Sequence, residues 1–137
     1  MHTNELKKQL KRHEGFMSRP YRCPGGALSI GYGRNLDARG ISQEEADMML
    51  ENDIQCCIEA LCLHLPDIFP NLTTNRQHVL INMCFNLGIG GLLAFKKALG
   101  FLRLHDYENA SREMLNSKWA GQVGGRAKEL AEQMRKG

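Results

Sequence analysis

Apolar residues recur at helical spacing near the start of the chain, lose that spacing between residues 16 and 40, and regain it afterwards. In residues 4–14, Leu6 and Leu10 stand one turn apart while Lys7, Lys8, Lys11 and Arg12 face away from them. This predicts a short amphipathic helix, stopped by Gly15. From 16 to 40, Pro20, Pro24 and the glycines at 25, 26, 31 and 33 predict tight turns and a small antiparallel sheet. Ser42 with Glu45 three residues on makes a capping box. The helix it opens carries Ala46, Met49, Leu50, Ile54, Cys57, Ile58 and Leu61 along one stripe, to about Leu63. Asp53 is the single charged member of that stripe, set either at its edge in water or against a basic group.

Pro66, Pro70 and Asn71 mark a connection, and Thr74 with Gln77 forms a second capping box. Val79, Leu80, Met83, Cys84 and Leu87 follow as the most apolar helical stretch, the candidate central helix. Gly88 is expected to end it and Gly90-Gly91 to turn the chain. Leu92 to Leu104 reads as a helix or helix pair with Gly100 as a weak point. Another helix begins near Asp106 and buries Tyr107, Ala110, Met114 and Leu115. Past Trp119, the run Ala120-Gly121-Gln122-Val123-Gly124-Gly125 reads as loose, and a last helix runs from Arg126 to about Arg135. The expected class is α+β and predominantly helical. At 137 residues it is one domain by size, with a small sheet lobe at about 15–41 and a larger helical lobe at about 1–14 and 42–137.

Composition narrows the picture without redirecting it. A 42% hydrophobic content is enough for a core, and a net charge of +3 is too mild for a nucleic-acid interface, though compatible with an anionic partner. There is no run of 18 apolar residues, so no stable membrane insertion is expected. The opening MHTNELKKQLKRHEG is too polar for a signal peptide, which predicts a cytoplasmic protein needing another route to act outside. Five cysteines, two of them adjacent at 56 and 57, do not make a secreted disulfide framework. Cys56, Cys57, Cys62 and Cys84 are expected to fill helix faces as small apolar residues. The histidines are scattered, and Met17 stands where a zinc-peptidase pattern begun at His13-Glu14 would need a second histidine, so neither metal nor cofactor is expected. Gly31-Tyr32-Gly33 is not a dinucleotide loop, because Leu36 occupies the place of the third glycine.

The groups that could carry chemistry gather in EGFMSRPYRCPGGALSIGYGR, residues 14–34. Glu14 falls in the last turn of the first helix, where the helix dipole opposes a negative charge; a structural carboxylate avoids that place and an acid catalyst exploits it. The Gly/Pro-rich turn after it brings Cys23 and Ser29 back toward that helix end. Glycoside hydrolysis uses an acid to protonate the leaving oxygen and a second group to activate water or stabilise the cation-like transition state. Glu14 suits the first part; Cys23 is an unusual second, since an ordinary thiol is mostly neutral at pH 7. The spacing fits a nucleophilic cysteine equally well, and it fits a surface Glu, a buried Cys and a turn Ser with no chemistry at all. Asn86, near the end of the central helix, is either a solvated amide or a contact for a polar substrate. Arg126 sets a cation at a helix start, which suggests an anionic partner. Trp119 and Tyr107 read as core residues before ligand platforms.

From about Leu6 to Lys128 the chain resembles the phage-type lysozymes of T-even and lambdoid bacteriophages. The family's signature is a Glu, eight residues, an Asp or Cys, five residues and a Thr; here it stands as Glu14, Cys23 and Ser29 with the intervals kept. Tyr21, Ile30-Gly31, Gly33, Ile41-Ser42 to Asp53, Ile81-Asn82-Met83, Phe85, Gly88, Phe95, Ser117-Lys118-Trp119 and Arg126-Ala127-Lys128 follow in family order. The resemblance implies a two-lobed lysozyme fold and a muramidase that hydrolyses the β-1,4 bond between N-acetylmuramic acid and N-acetylglucosamine in peptidoglycan. It implies a phage or prophage endolysin, acting as a monomer, held in the cytoplasm until a separate pore-former releases it to the cell wall.

By the same resemblance Glu14 is the general acid, Cys23 helps to activate or position water on the opposite face of the sugar, and Ser29 supports that water. Arg126 corresponds to the arginine that pairs with the catalytic Glu, and Asn86 to a cleft-lining amide. Arg34 stands where the family has a histidine paired with an aspartate, which predicts an Arg34–Asp53 ion pair. Three departures are visible. Ser29 keeps the hydroxyl of the usual Thr without the methyl that stiffens its rotamer. The segment between Arg34 and Ile41 lacks the longer insertion of the T-even type, which predicts fewer sugar contacts. A thiol at Cys23, a weak base, leaves open a lytic transglycosylase, which needs no water-activating residue. The other alternative is a wall-binding or structural module that has kept the fold and lost the chemistry, against which Glu14 and Arg126 are both intact.

Overall fold

The computed structural model describes residues 1–137, and the chain divides into two compact units, Met1–Met48 and Met49–Gly137. In the first, helix α1 (Asn4–Glu14) ends where Gly15 takes a φ of 71°, a conformation glycine reaches without strain. Leu6 and Leu10 do form a stripe, but both stay about half exposed and α1 buries no residue. Strands β1 (Met17–Arg22), β2 (Leu28–Gly31) and β3 (Arg34–Asn35) then form a three-stranded antiparallel sheet with β2 in the centre. Met17 opposes Gly31 and Tyr21 opposes Ser29, so β1 advances four residues where β2 advances two; Pro20, which cannot donate to the ladder, lies in this irregular stretch. A short helix α2 (Leu36–Arg39), capped by the Asn35 side chain, closes the sheet region.

Helix α3 (Gln43–His64) starts from the capping box read in the sequence: the Ser42 hydroxyl accepts from the Glu45 amide, and the Glu45 carboxylate accepts from the Ser42 amide. Only Cys57 and Leu61 of its expected stripe are buried, while Met49 and Leu50 remain exposed.

The second unit holds the hydrophobic core, which runs from Cys57 to Met134. Its centre is α4 (Thr74–Leu93), burying Val79, Leu80, Met83, Cys84 and Leu92. The N-cap is Thr73, whose hydroxyl accepts from the Arg76 amide, one residue before the expected Thr74. Gly88 breaks the helix with φ 76° and ψ 164°, as expected of it, yet the chain resumes helical geometry at once. Gly90 and Gly91 therefore lie in a helical turn rather than in the bend the sequence suggests. Helices α5 (Lys96–Arg103), α6 (Tyr107–Leu115), α7 (Lys118–Val123) and α8 (Gly125–Lys136) follow, and α8 packs against α4, α6 and α7. The segment expected to be loose is α7, started by Ser117, whose hydroxyl accepts from the Ala120 amide, and stopped by Gly124 at φ 58°. Burial of Trp119 compensates for the poor helix propensity of its neighbouring glycines. Arg76 closes the far end of α8: it donates to the carbonyls of Met134 (2.7 Å) and Arg135 (3.0 Å) and stacks 3.4 Å above the Tyr107 ring.

Candidate active site

In the first unit, three contacts lay the end of α1 against the tip between β2 and β3. Lys11 sits 5.4 Å above the Tyr32 ring, Phe16 packs on Tyr32 at 5.6 Å, and the Glu14 carboxylate lies beside Gly33. Glu14 is exposed, the terminal residue of its helix. Cys23 is half-buried in the turn that joins β1 to β2, where its amide donates to the Ala27 carbonyl and its own carbonyl accepts from the Gly26 amide. Pro24 and Gly25 occupy the two central places of that turn, the reason for the Pro-Gly pair in the sequence. Ser29 is buried at 3% exposure on the central strand, its hydroxyl donating to the Ala27 carbonyl over a long 3.4 Å. The hairpin thus carries two of the three signature residues, Cys23 in its turn and Ser29 on β2, while Glu14 flanks its open end from the last position of α1.

The expected ion pair of Arg34 is a correction. The guanidinium is bidentate to Glu45, at 2.9 and 2.6 Å, with a further bond to the Gly40 carbonyl, while Asp53 is exposed. Glu45 wins because the capping box already fixes it at the start of α3, so Arg34 orders only itself on binding. The Arg34 hydrogen bonds, followed by the Ser42 amide, hold the Glu45 carboxyl at about 2.

In the second unit, Arg126 donates Nε (3.0 Å) and Nη2 (2.7 Å) to the side-chain oxygen of Asn82, which leaves Nη1 free within this unit. Both residues line a groove of about 470 Å³ with Leu50, Ile54, Ile58, His78, Ile81 and Phe85. Asn86 does not join them, because its side-chain oxygen accepts from Trp119 Nε1 at 2.7 Å. Trp119 is buried as expected, edge-on to Phe95, and floors a second groove of about 500 Å³ rimmed by Lys96, Lys97 and Lys118.

Sequence reasoning did not single out Asn82, Gly33 or Glu45 as site residues. Asn82 shares a helix face with Asn86 one turn later, a pattern that spacing could have flagged. Gly33 owes its place to the turn between β2 and β3, and Glu45, legible as a cap, takes Arg34 as a partner only through the tertiary fold. The cysteines also divide: Cys57 and Cys84 are buried, whereas Cys56 and Cys62 are exposed, a correction to their common assignment as packing residues. Burial, then the neighbouring Cys57 thiol, pushes the Cys84 thiol up to about 11.

Comparison with known proteins adds to this geometry. The family model described as phage lysozyme matches residues 11–136. The chain is 27% identical to "Probable T4-type lysozyme 1" of Dictyostelium discoideum over 106 positions, which cover 74% of this chain and 62% of that protein. It is 26% identical to "Probable T4-type lysozyme 2" of the same organism over 156 aligned positions, 93% of this chain and 92% of the relative. It is also 29% identical over 107 positions to the "Pre-baseplate central spike protein Gp5" of Enterobacteria phage T4, covering 75% of this chain and 19% of that one.

Proposed function

This chain belongs to the phage lysozyme family, and we propose that it hydrolyses peptidoglycan at the β-1,4 bond between N-acetylmuramic acid and N-acetylglucosamine. The observation that carries the reading is Glu14 at the end of α1, beside Gly33, next to a hairpin that bears Cys23 in its turn and Ser29 on its second strand, all inside the stretch that matches the family. Glu14 is assigned as general acid: its carboxylic acid gives a proton to the glycosidic oxygen, which leaves with the bonding electron pair. Ser29 Oγ and Cys23 Sγ are assigned to a water that adds to the cationic sugar carbon, its proton passing through Cys23 or solvent. The Ser29 hydroxyl keeps its lone pairs for such a water while its proton is turned toward the Ala27 carbonyl. Arg126, fixed by Asn82, and Asn86, fixed against Trp119, are assigned supporting roles as sources of positive charge and amide donors.

One observation favours a second reading, lytic transglycosylation. A half-buried thiol stands where hydrolysis wants a base, and an internal sugar hydroxyl attacking the same carbon would dispense with it. The deciding experiment follows turbidity of Gram-negative cells stripped of their outer membrane, wild type beside Glu14→Gln, with the released fragments weighed. Loss of clearing in the variant and fragments carrying a reducing end are expected. Fragments lighter by one water would select transglycosylation. Clearing by both proteins would remove Glu14 from the mechanism, and clearing by neither would select a wall-binding module.

A further inference from the structure

We propose that Gly33 is a positioning residue for Glu14, the empty side-chain position that lets the acid's carboxylate stand where it does. A Cβ built on Gly33 would lie 2.7 Å from Glu14 Oε2 and 3.2 Å from its carboxyl carbon. Ordinary contact between non-bonded heavy atoms begins near about 3.5 Å, so the carboxylate occupies space that any other residue at 33 would fill. Glycine is also suited to the backbone here, at φ 72°. Two causes therefore overlap at this position, and a neighbour separates them. Gly31 has almost the same backbone angle, φ 68°, but a Cβ there meets nothing within 4 Å.

The consequence follows from which atoms can give way. Gly33 lies in the turn between β2 and β3, pinned on both sides by pairing of Ile30 with Arg34 and Ser29 with Asn35. The Glu14 carboxylate is the far end of a flexible, exposed side chain. A methyl at 33 thus moves the carboxylate rather than the strand, and the fold survives with its acid displaced by the better part of an ångström. Displacements of that size cost up to about 100-fold in rate where a proton must travel a defined path.

The inference rests on Glu14 being the acid, and the experiment keeps the two ideas apart. Gly31→Ala, Gly33→Ala and Glu14→Gln are compared for kcat and KM on soluble wall fragments, and the Glu14 carboxyl carbon resonance is followed without substrate in the two alanine variants. In Gly33→Ala the resonance is expected to move and kcat to fall about 10- to 100-fold with KM little changed, while Gly31→Ala loses about a tenth as much. Equal losses in the two alanine variants, or an unmoved resonance in Gly33→Ala, would overturn the proposal. Full activity in Glu14→Gln would overturn the acid assignment alone, with the resonance still testing the geometry. Should Gly33→Ala unfold, the double variant Glu14→Ala/Gly33→Ala decides: recovery of stability once the carboxylate is removed supports the collision, and no recovery refutes it.

Discussion

Glu45 uses two oxygens for three partners, the Ser42 amide and both arms of Arg34. Its folded value of about 2 lies below the ordinary 4.5, so the stabilisation is complete above 4.5 and is lost as pH falls toward 2. Thermal melts of wild type and Glu45→Gln are accordingly expected to differ at pH 7 and to converge near pH 2. A constant gap across that range would show that Glu45 acts by packing alone. The same residue explains why Arg34 does not seek Asp53: a carboxylate already ordered by a helix cap loses less freedom on pairing. The thiols make a second residue-scale prediction. A disulfide-exchange reagent is expected to modify Cys56 and Cys62 quickly in the native protein and to reach Cys57 and Cys84 only after unfolding. Mass mapping of the labelled cysteines checks it.

At the scale of elements, α4 and α7 are joined through one hydrogen bond from a buried indole to Asn86. Asn86→Ala would leave the Trp119 N–H without its partner, at a cost of about 1–3 kcal/mol. Because Trp119 is the sole tryptophan, a shift of its fluorescence to longer wavelength in the folded variant would report the loosening directly. Thr73→Ala is expected to cost about 1 kcal/mol through the start of α4, whereas Thr74→Ala costs little, since the cap belongs to Thr73. Chemical denaturation of the two variants separates them. The sequence offers Thr73 and Thr74 in tandem, and a shift of one residue in a helix start is beyond what pattern alone resolves.

Across the whole molecule, burial is lopsided. Every buried apolar side chain lies between Cys57 and Met134, and Ser29 is the only buried residue of the first unit. Stability therefore resides in the second unit, where Leu61→Ala, at a fully buried position, is expected to cost about 2–5 kcal/mol. Hydrogen exchange should show the same division, with amides of α4 and α8 strongly protected and those of β1 to β3 exchanging well before global unfolding. Equal protection of sheet and helices would contradict it.

The sequence by itself determined the order and kind of most elements. Helix caps, glycine stops and apolar spacing are local, so α1, α3, α6 and α8 could be read from Gly15, Ser42, Asp106 and the run after Gly124. The spacing of Glu14, Cys23 and Ser29 was visible as well, but it took the resemblance to the phage-type lysozymes to make a signature of it. Tertiary structure decided what depends on competition among neighbours. It made a helix of the glycine-rich run after Ser117 by burying Trp119, and gave Arg34 to Glu45 instead of Asp53. It separated Cys57 and Cys84 from Cys56 and Cys62, and set the Glu14 carboxylate in the space left by Gly33. Each is a choice between partners that are equivalent in the sequence, settled by which one packing has already fixed or removed from water.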